Sequence, residues 1–245
     1  MIQSISDEKL VEGFEESWYE VWRMLTSTPW GKQQEDQYTK KVYTGWYGDG
    51  VLFTRLMDDI VDEKIEEAIH FYSNLTRRWI WPIYSSTRPR NLGDSLERHG
   101  LRKVEEKHPL MALNLEELNQ GFHMPEGLEI MKVVEEATLP LWSRVFLVGH
   151  GLERLLESGL RLFQAVGVRD DQPASKFLGF YNGVPVASSQ VLFGRSVARL
   201  NFVSTMPEAR GKGIGTAISL ASLISARERG YKVAVLTSTD MGYPI

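Results

Sequence analysis

The stretch that decides the fold runs from Ala198 to Thr216 and reads Ala-Arg-Leu-Asn-Phe-Val-Ser-Thr-Met-Pro-Glu-Ala-Arg-Gly-Lys-Gly-Ile-Gly-Thr. Residues 198–204 are rich in apolar and β-branched types and predict a strand, which ends before Pro207. Three glycines then alternate with other residues, and an apolar helix is predicted over 213–229. A last strand is predicted over 232–236. The order is therefore strand, glycine-rich turn, helix and strand.

The glycine-rich turn has the properties of a phosphate-binding site. Gly211, Gly213 and Gly215 lack a Cβ, so the backbone can bend sharply and approach a ligand closely. Their N–H groups would lie at the N-terminus of a helix, where four donors lack partners and the helix dipole is positive. Arg210 and Lys212 add positive charge. The pattern favours a pyrophosphate site over a turn that merely redirects the chain.

At these residues the sequence resembles the GNAT-type N-acetyltransferase family, whose signature is Gln/Arg-x-x-Gly-x-Gly/Ala. The segment 210–215 satisfies this signature, and Pro207-Glu208-Ala209 before it is similar to the family's usual surroundings. The resemblance implies acetyl-coenzyme A as cofactor. It also implies a strand that splays from its neighbour to offer backbone groups to the pantetheine arm and thioester, and a turn that holds the pyrophosphate. The implied cofactor-binding residues are Val203, Ser204, Thr205, Arg210, Gly211, Lys212, Gly213, Ile214, Gly215 and Thr216.

The rest of the chain predicts an α/β protein with a mixed sheet, built as two tandem GNAT-like lobes. The predicted lobes are 1–118, which is degenerate and structural or a wall of the acceptor pocket, and 126–245, which binds the cofactor. The predicted helices are 6–25, 62–73, 92–99, 139–148 and 152–165. The predicted strands are 38–46, 51–57, 79–84, one or two within 101–115, 128–134, 177–181 and 186–193.

The two lobes are interpreted as a degenerate repeat. Strand 51–57, helix 62–73 and strand 79–84 have the same order as the strand, helix and strand around the glycine-rich turn. Where the second copy has glycines, the first has 55–62, Arg-Leu-Met-Asp-Asp-Ile-Val-Asp, without glycine and with three acids that would repel phosphate. Only the second lobe is therefore expected to bind the cofactor.

Transfer of an acetyl group to an amine also requires a polarised carbonyl, a base for the amine and a proton for the thiolate. In the resembled family that proton often comes from a tyrosine in a segment after the last strand, where this chain reaches Ile245. One helix and one or two strands are expected to be absent, and the open sheet edge would favour a homodimer or pairing with another segment. Tyr243 is a candidate acid or a packing residue, Asp240 a candidate base or a helix cap, and Asn201 a minor polar group of the acceptor cleft or simply part of the strand.

Composition excludes several classes of protein. There is no cysteine, so disulfides, thiolate nucleophiles and cysteine–zinc sites are impossible. The net charge of −4 gives no support for a nucleic-acid partner. No stretch predicts a membrane span or a secretory signal, and the five histidines show no metal-ligand spacing, so a cytoplasmic protein without a metal site is expected.

Three functions stay open at this point. The first is transfer of an acetyl group from acetyl-coenzyme A to a primary amine of an unidentified small molecule or peptide. The second is a non-catalytic coenzyme-A-binding protein or pseudoenzyme. The third is a dinucleotide-binding oxidoreductase, which Gly211-x-Gly213 followed by a helix superficially suggests, although position 216 is Thr where that fingerprint needs a third glycine. A P-loop is excluded because Lys212 precedes Gly213 rather than Ser or Thr.

Overall fold

The computed structural model describes residues 7–104, 109–118, 121–169, 171–238 and 242–243. The described chain forms two compact units. One contains the residues up to Ser17 and those from Pro109 onward, and the other begins at Trp18 and includes the described residues through 104. The units divide at other residues than the predicted lobes, because the segment after Pro109 pairs with the sheet that carries the glycine-rich turn.

The first unit is built on a six-stranded mixed sheet with strand order β4-β9-β8-β7-β6-β5. Only the β8–β9 pair is parallel, and the other neighbours are antiparallel. The mixed sheet agrees with the predicted fold class. The strands are β4 (Leu110–Asn114), β5 (Leu128–Val133), β6 (Ala174–Tyr181), β7 (Val184–Phe193), β8 (Ala198–Thr205) and β9 (Val233–Thr237).

Helices cover both faces of this sheet. They are α4 (Leu139–Gly149), α5 (Leu156–Val166) and α6 (Ile214–Glu228), and the first half of α1 (Asp7–Leu25) joins them. Side chains alternate between the faces along a strand. The Ser189 hydroxyl bonds to the Ile218 carbonyl of α6, whereas Lys176, the cross-strand partner of Gln190, lies under the Trp142 ring of α4. α6 and α4 therefore lie on opposite faces.

The strand β4 occupies the sheet edge that the sequence predicted to be open. It runs antiparallel to β9 from Leu110↔Thr237 to Asn114↔Val233. Leu115 and Leu118, just beyond it, are buried in the same core as α6. A segment from the first half of the chain thus supplies the neighbour of β9, which is the pairing with another segment that the sequence analysis gave as one of two alternatives.

The second unit contains a three-stranded antiparallel sheet, β1 (Lys32–Glu35), β2 (Thr39–Tyr43) and β3 (Gly50–Thr54), with the helices α2 (Val61–Ser73) and α3 (Leu92–Arg98). The predicted strand 79–84 is reduced to an isolated parallel bridge between Ile80 and Gly50. Pro82 has no N–H to donate, which prevents a regular ladder there. The predicted order is nevertheless kept, since β3, α2 and this parallel bridge follow one another as β8, α6 and β9 do.

Candidate functional site

The strands β8 and β9 part soon after they meet. Their parallel register consists of Ala198↔Ala234 and Arg199↔Val235, and no further pair joins them in the part of the chain that the structure describes. β8 nevertheless continues to Thr205. The second half of β8 therefore has backbone groups that face a gap instead of a neighbouring strand. This register agrees with the splay that the resemblance to the GNAT family implies before the glycine-rich turn.

A β-bulge lies in β8 beside this gap. In the register with β7, Ser188 is opposite Ser204 and Gln190 is opposite Asn201, so β8 has one residue more than β7 across this interval. Phe202 has a φ of 53°, in the left-handed region that a bulky side chain rarely adopts. The Ser188 hydroxyl donates a hydrogen bond to the Phe202 carbonyl at 3.1 Å.

The Phe202 ring is held by an aromatic cluster from α4 and α5. Its centroid lies 4.8 Å from that of Phe146, 5.6 Å from Phe163 and 5.9 Å from Trp142. Trp142 is itself fixed, because its indole N–H donates to the Ser189 carbonyl at 3.0 Å. The bulge is thus anchored on the face of the sheet that α4 and α5 cover.

After β8, the chain forms the glycine-rich turn and enters α6. Gly211 and Gly213 have φ values of 74° and 75°, and Gly213 is the N-cap residue of α6. A Cβ on Gly211 would meet nothing within 4 Å, so the backbone is open on that side. No side chain caps this end of α6 and no acidic residue lies in its first turn. The N-terminal N–H groups and the positive end of the dipole are therefore available to an anion.

The two cations of the turn have different surroundings. Arg210 donates from Nε to the Thr205 carbonyl at 3.1 Å and from Nη2 to the Gly149 carbonyl at 2.8 Å. Lys212 extends from the turn, with Nζ 4.7 Å from the Tyr181 ring centroid and 3.4 Å from the Glu208 carbonyl oxygen. Arg210 therefore joins the end of β8 to the C-terminus of α4, while the described contacts of Lys212 stay within the turn and at the Tyr181 ring.

Sequence reasoning missed the end of α4 as part of the site. A Cβ on Gly149 would collide with the Ser204 hydroxyl, so only glycine lets α4 approach β8 here. The next residue, His150, packs its ring 4.9 Å from that of Phe146. Although part of His150 is open to solvent, burial of the ring and then the charge of Arg210 lower its pKa below the usual value. In the sequence, Gly149-His150-Gly151 has only the signal of an ordinary helix end.

A row of polar side chains crosses the sheet next to the bulge. Lys176, Gln190 and Asn201 are cross-strand partners on β6, β7 and β8. Gln190 donates to Asn201 at 3.4 Å, and its own Oε1, like the Asn201 amide nitrogen, is buried without a partner among the described residues. Burial lowers the pKa of Lys176 to about 8, against the opposing attraction of Glu136. Asn201 therefore lies next to the bulge, and its role in an acceptor cleft stays a prediction.

Of the other two predicted catalytic candidates, only Tyr243 lies within the described residues. Tyr243 lies in a turn and is 58% exposed. Asp240 falls outside the described residues. Within the described ranges, no group of three or more His, Cys, Asp or Glu residues could hold a metal ion. The helices there include none that is long and apolar enough to cross a membrane.

Comparison with known proteins agrees with this geometry. Residues 139–242, which include α4, the bulge, the turn and α6, match the model of the acetyltransferase (GNAT) family. This segment belongs to the GNAT family. Acetyl-coenzyme A is the acyl donor of that family, so the predicted family and cofactor are confirmed. No curated protein matches the sequence.

Three solved structures, two of them of GNAT proteins, resemble the fold over most of the chain. A GCN5-related N-acetyltransferase from Kribbella flavida aligns with a TM-score of 0.68 at 15% identity, over 92% of this chain and 86% of that one. A tandem GNAT protein from the clavulanic acid biosynthesis pathway aligns with a TM-score of 0.57 at 12% identity, over 98% and 89%. A functionally unknown conserved protein from Staphylococcus epidermidis aligns at 0.55 and 12%, over 87% and 86%. At these identities the likeness shows the fold alone, and the predicted GNAT fold is confirmed.

Proposed function

We propose that this protein is an N-acetyltransferase that transfers an acetyl group from acetyl-coenzyme A to a primary amine of a small molecule or peptide. The observation that carries the proposal is the uncapped, acid-free N-terminus of α6. It follows two glycines in left-handed conformation and lies beside the gap between β8 and β9. A site with these donors and without a competing carboxylate suits a pyrophosphate.

The residues present fit the cofactor. The backbone N–H groups of the segment 211–216 would hold the pyrophosphate, with Lys212 as the adjacent charge. Backbone groups at the end of β8, around Ser204 and Thr205, would bind the amides of the pantetheine arm, although the Thr205 carbonyl already accepts a hydrogen bond from Arg210. When bound, the cofactor supplies an acetyl thioester. Arg210 would act mainly by holding the turn against α4, since both of its described hydrogen bonds go to backbone carbonyls.

The bulge offers a donor for the thioester carbonyl. The Phe202 carbonyl faces the Ser188 hydroxyl on β7. In a trans peptide the C=O and the following N–H point in opposite directions. The Val203 N–H therefore points away from Ser188, toward the side of β8 where β9 has separated. A fixed N–H in that position would stabilise the negative charge that develops on the carbonyl oxygen during attack by the amine.

The groups that move the protons stay proposals. Asn201 lies next to the bulge, and Tyr243 and Asp240 keep the roles of acid and base that the sequence suggested. His150, at the end of α4 beside Arg210, joins them as a further candidate base, because burial and the charge of Arg210 lower its pKa. Assignment of one of these residues as acid or base requires that it contact a bound acceptor directly.

Calorimetric titration of acetyl-coenzyme A tests the proposal. We expect the wild type to bind, and Gly213→Asp to bind at least about 100-fold more weakly, because the new carboxylate would repel the pyrophosphate at the helix N-terminus. Gly230→Asp is the matched control, since Gly230 also has a positive φ and open surroundings but follows the other end of α6. Equal loss in both variants, or no binding by folded wild type, would refute the proposed site.

Two further assays separate the alternatives. Release of free coenzyme A from acetyl-coenzyme A, measured across a panel of primary amines, would distinguish an enzyme from a protein that only binds the cofactor. Titration with a nicotinamide dinucleotide tests the oxidoreductase alternative, for which we expect no binding. The acceptor is the amine that accelerates release most strongly relative to the reaction without amine.

We also propose a homodimer and a cytoplasmic location. The outer edge of β4 offers a surface for the dimer, because Leu110 and Leu113 are exposed there and the strand has no charged residue to protect its edge. Sedimentation measurements on the wild type and on Ala112→Lys would decide between dimer and monomer. A mass that does not differ between the two proteins would exclude this edge as the interface.

A further inference from the structure

We infer that Ser188 is a positioning residue of the acetyl-transfer site, whose hydroxyl fixes the orientation of the Phe202–Val203 peptide. The inference rests on the proposed function, in which the Val203 N–H polarises the thioester carbonyl. Ser188 itself lies on β7 and is fully buried, so it has no direct access to the cofactor. It acts through the bulge.

The bulge leaves this peptide without the usual control by neighbouring strands. The register with β7 passes from Ser204 to Asn201, so neither Phe202 nor Val203 has a cross-strand partner there. On the other side, the pairing with β9 has already ended at Arg199. A peptide outside both ladders can rotate about its flanking bonds unless another group holds its polar atoms.

The aromatic cluster holds the Phe202 side chain but leaves the peptide plane undetermined. Ring packing against Phe146, Phe163 and Trp142 fixes the position of the ring. It makes no hydrogen bond to the Phe202 carbonyl or to the Val203 N–H. Two orientations of the peptide are therefore compatible with the same ring position.

The hydroxyl of Ser188 selects one of these orientations. It donates to the Phe202 carbonyl at 3.1 Å from a fully buried position. Reversal of the peptide would turn the Val203 N–H toward this hydroxyl, whose oxygen can accept it, but the hydroxyl proton would lose its acceptor at a buried position, which is unfavourable. It would also turn the Val203 N–H toward β7 and away from the gap. The serine thus keeps the polarising donor directed at the place of the thioester.

The adjacent residue provides a matched control. Ser189 is also a fully buried serine on β7, but its hydroxyl points to the opposite face. There it bonds to the Ile218 carbonyl at 3.1 Å and to the Ser222 hydroxyl at 2.7 Å. Ser189→Ala therefore removes a buried hydroxyl from the same strand without removing the bond that orients the bulge.

Infrared spectroscopy of acetyl-coenzyme A labelled with ¹³C at the thioester carbonyl tests the inference without knowledge of the acceptor. In the wild type and in Ser189→Ala we expect the bound carbonyl band at lower frequency than in free cofactor. In Ser188→Ala we expect at least about half of this shift to be lost while the dissociation constant changes less than about threefold, since the donor acts on the carbonyl and the pyrophosphate contacts remain. Ser188→Cys, which keeps the shape but donates weakly, should lose part of the shift.

The outcomes distinguish the role of Ser188 from the proposed function of the protein. A wild-type shift in folded Ser188→Ala would overturn the role of Ser188 and leave the proposed function standing. Equal loss in Ser188→Ala and Ser189→Ala would likewise overturn it, because a general loosening of β7 would explain both. Absence of acetyl-coenzyme A binding in the wild type would refute the proposed function itself. If Ser188→Ala does not fold, the Ser188→Cys band decides in the same way.

Discussion

Replacement of Gly149 by alanine tests whether close contact between α4 and β8 is a condition of the site. Gly149 is the last residue of α4, and a Cβ there would collide with the Ser204 hydroxyl. The same Cβ would lie 3.2 Å from the Thr205 carbonyl oxygen and 3.3 Å from the Ser204 Cβ. The Gly149 carbonyl accepts the 2.8 Å hydrogen bond from Arg210. A shift of α4 therefore reaches the glycine-rich turn.

The expected magnitude follows from these contacts. Rotation of the Ser204 side chain would relieve the collision but break its 3.3 Å hydrogen bond to the Val145 carbonyl, which is worth about 1 kcal/mol. The remaining short contacts act as overpacking, which costs about 1–3 kcal/mol. The better helix propensity of alanine returns up to about 1 kcal/mol. We expect Gly149→Ala to lower the free energy of unfolding by about 1–3 kcal/mol. It should also weaken acetyl-coenzyme A binding, because a shift of α4 would strain the hydrogen bonds by which Arg210 joins α4 to β8.

Urea unfolding and calorimetric titration would measure the two effects. Gly151→Ala is the control for replacement of a glycine just after α4 without a new contact, because a Cβ on Gly151 would meet nothing within 4 Å; its φ of 69° adds a backbone strain that Gly149 does not have. The decisive protein is the double variant Gly149→Ala/Ser204→Ala, from which the colliding oxygen is absent. It should be more stable than the sum of the single changes predicts, by about 1 kcal/mol or more. Strict additivity would show that the reasoning from this contact is wrong.

Two predictions concern charged residues. The pKa of Lys176 is about 8 in the folded protein and 10.5 in the reference state, so the unfolded chain binds the proton more strongly. Relative to Lys176→Met, the free energy of unfolding of the wild type should therefore rise by about 3 kcal/mol between pH 8 and 10.5, and should not rise below pH 8. A difference between the two proteins that stays constant across this window, measured by urea unfolding, would contradict this. Arg210→Ala should lower the melting temperature of the cofactor-free protein, because two carbonyls lose their donor, whereas Lys212→Ala should leave it unchanged and weaken acetyl-coenzyme A binding most at low salt. Equal melting temperatures for these two variants, measured by circular dichroism, would refute the role of Arg210 in joining β8 to α4.

The part of the site that lies on one continuous stretch was predictable from the sequence. β8, the turn and α6 follow one another between Ala198 and Glu228, and the need for glycine at 211 and 213 arises from local backbone geometry. The splay of β8 from β9 came from the resemblance to the family. The observed register agrees with it, since pairing ends at Arg199. Local pattern and family signature together were sufficient here.

The part that depends on distant residues was not predictable. The contact of Gly149 with Ser204 joins positions far apart in the chain, and a glycine before His150 and another glycine has the same local signal as any helix end. The orientation of the Phe202 peptide depends on the Ser188 hydroxyl of the neighbouring strand. In the sequence, Ser188-Ser189-Gln190 shows only polar residues within an apolar strand. Which of the two serines faces the bulge becomes known from the register and the faces of the sheet.

β4 comes from the first predicted lobe but pairs with β9 of the second. A lobe that began at residue 126 would lack the strand that pairs with β9 and would expose the buried side chains of Leu115 and Leu118. Those two leucines pack in the same core as Ala217 and Ile218 of α6, the helix whose N-terminus forms the proposed phosphate site. The first half of the chain therefore has a structural role in the cofactor-binding unit, although its own turn at 55–62 has no glycine. In the two-lobe interpretation, the absence of glycine at 55–62 and the presence of β4 are compatible, because β4 stabilises the sheet while the glycines of the second copy would serve the proposed phosphate site.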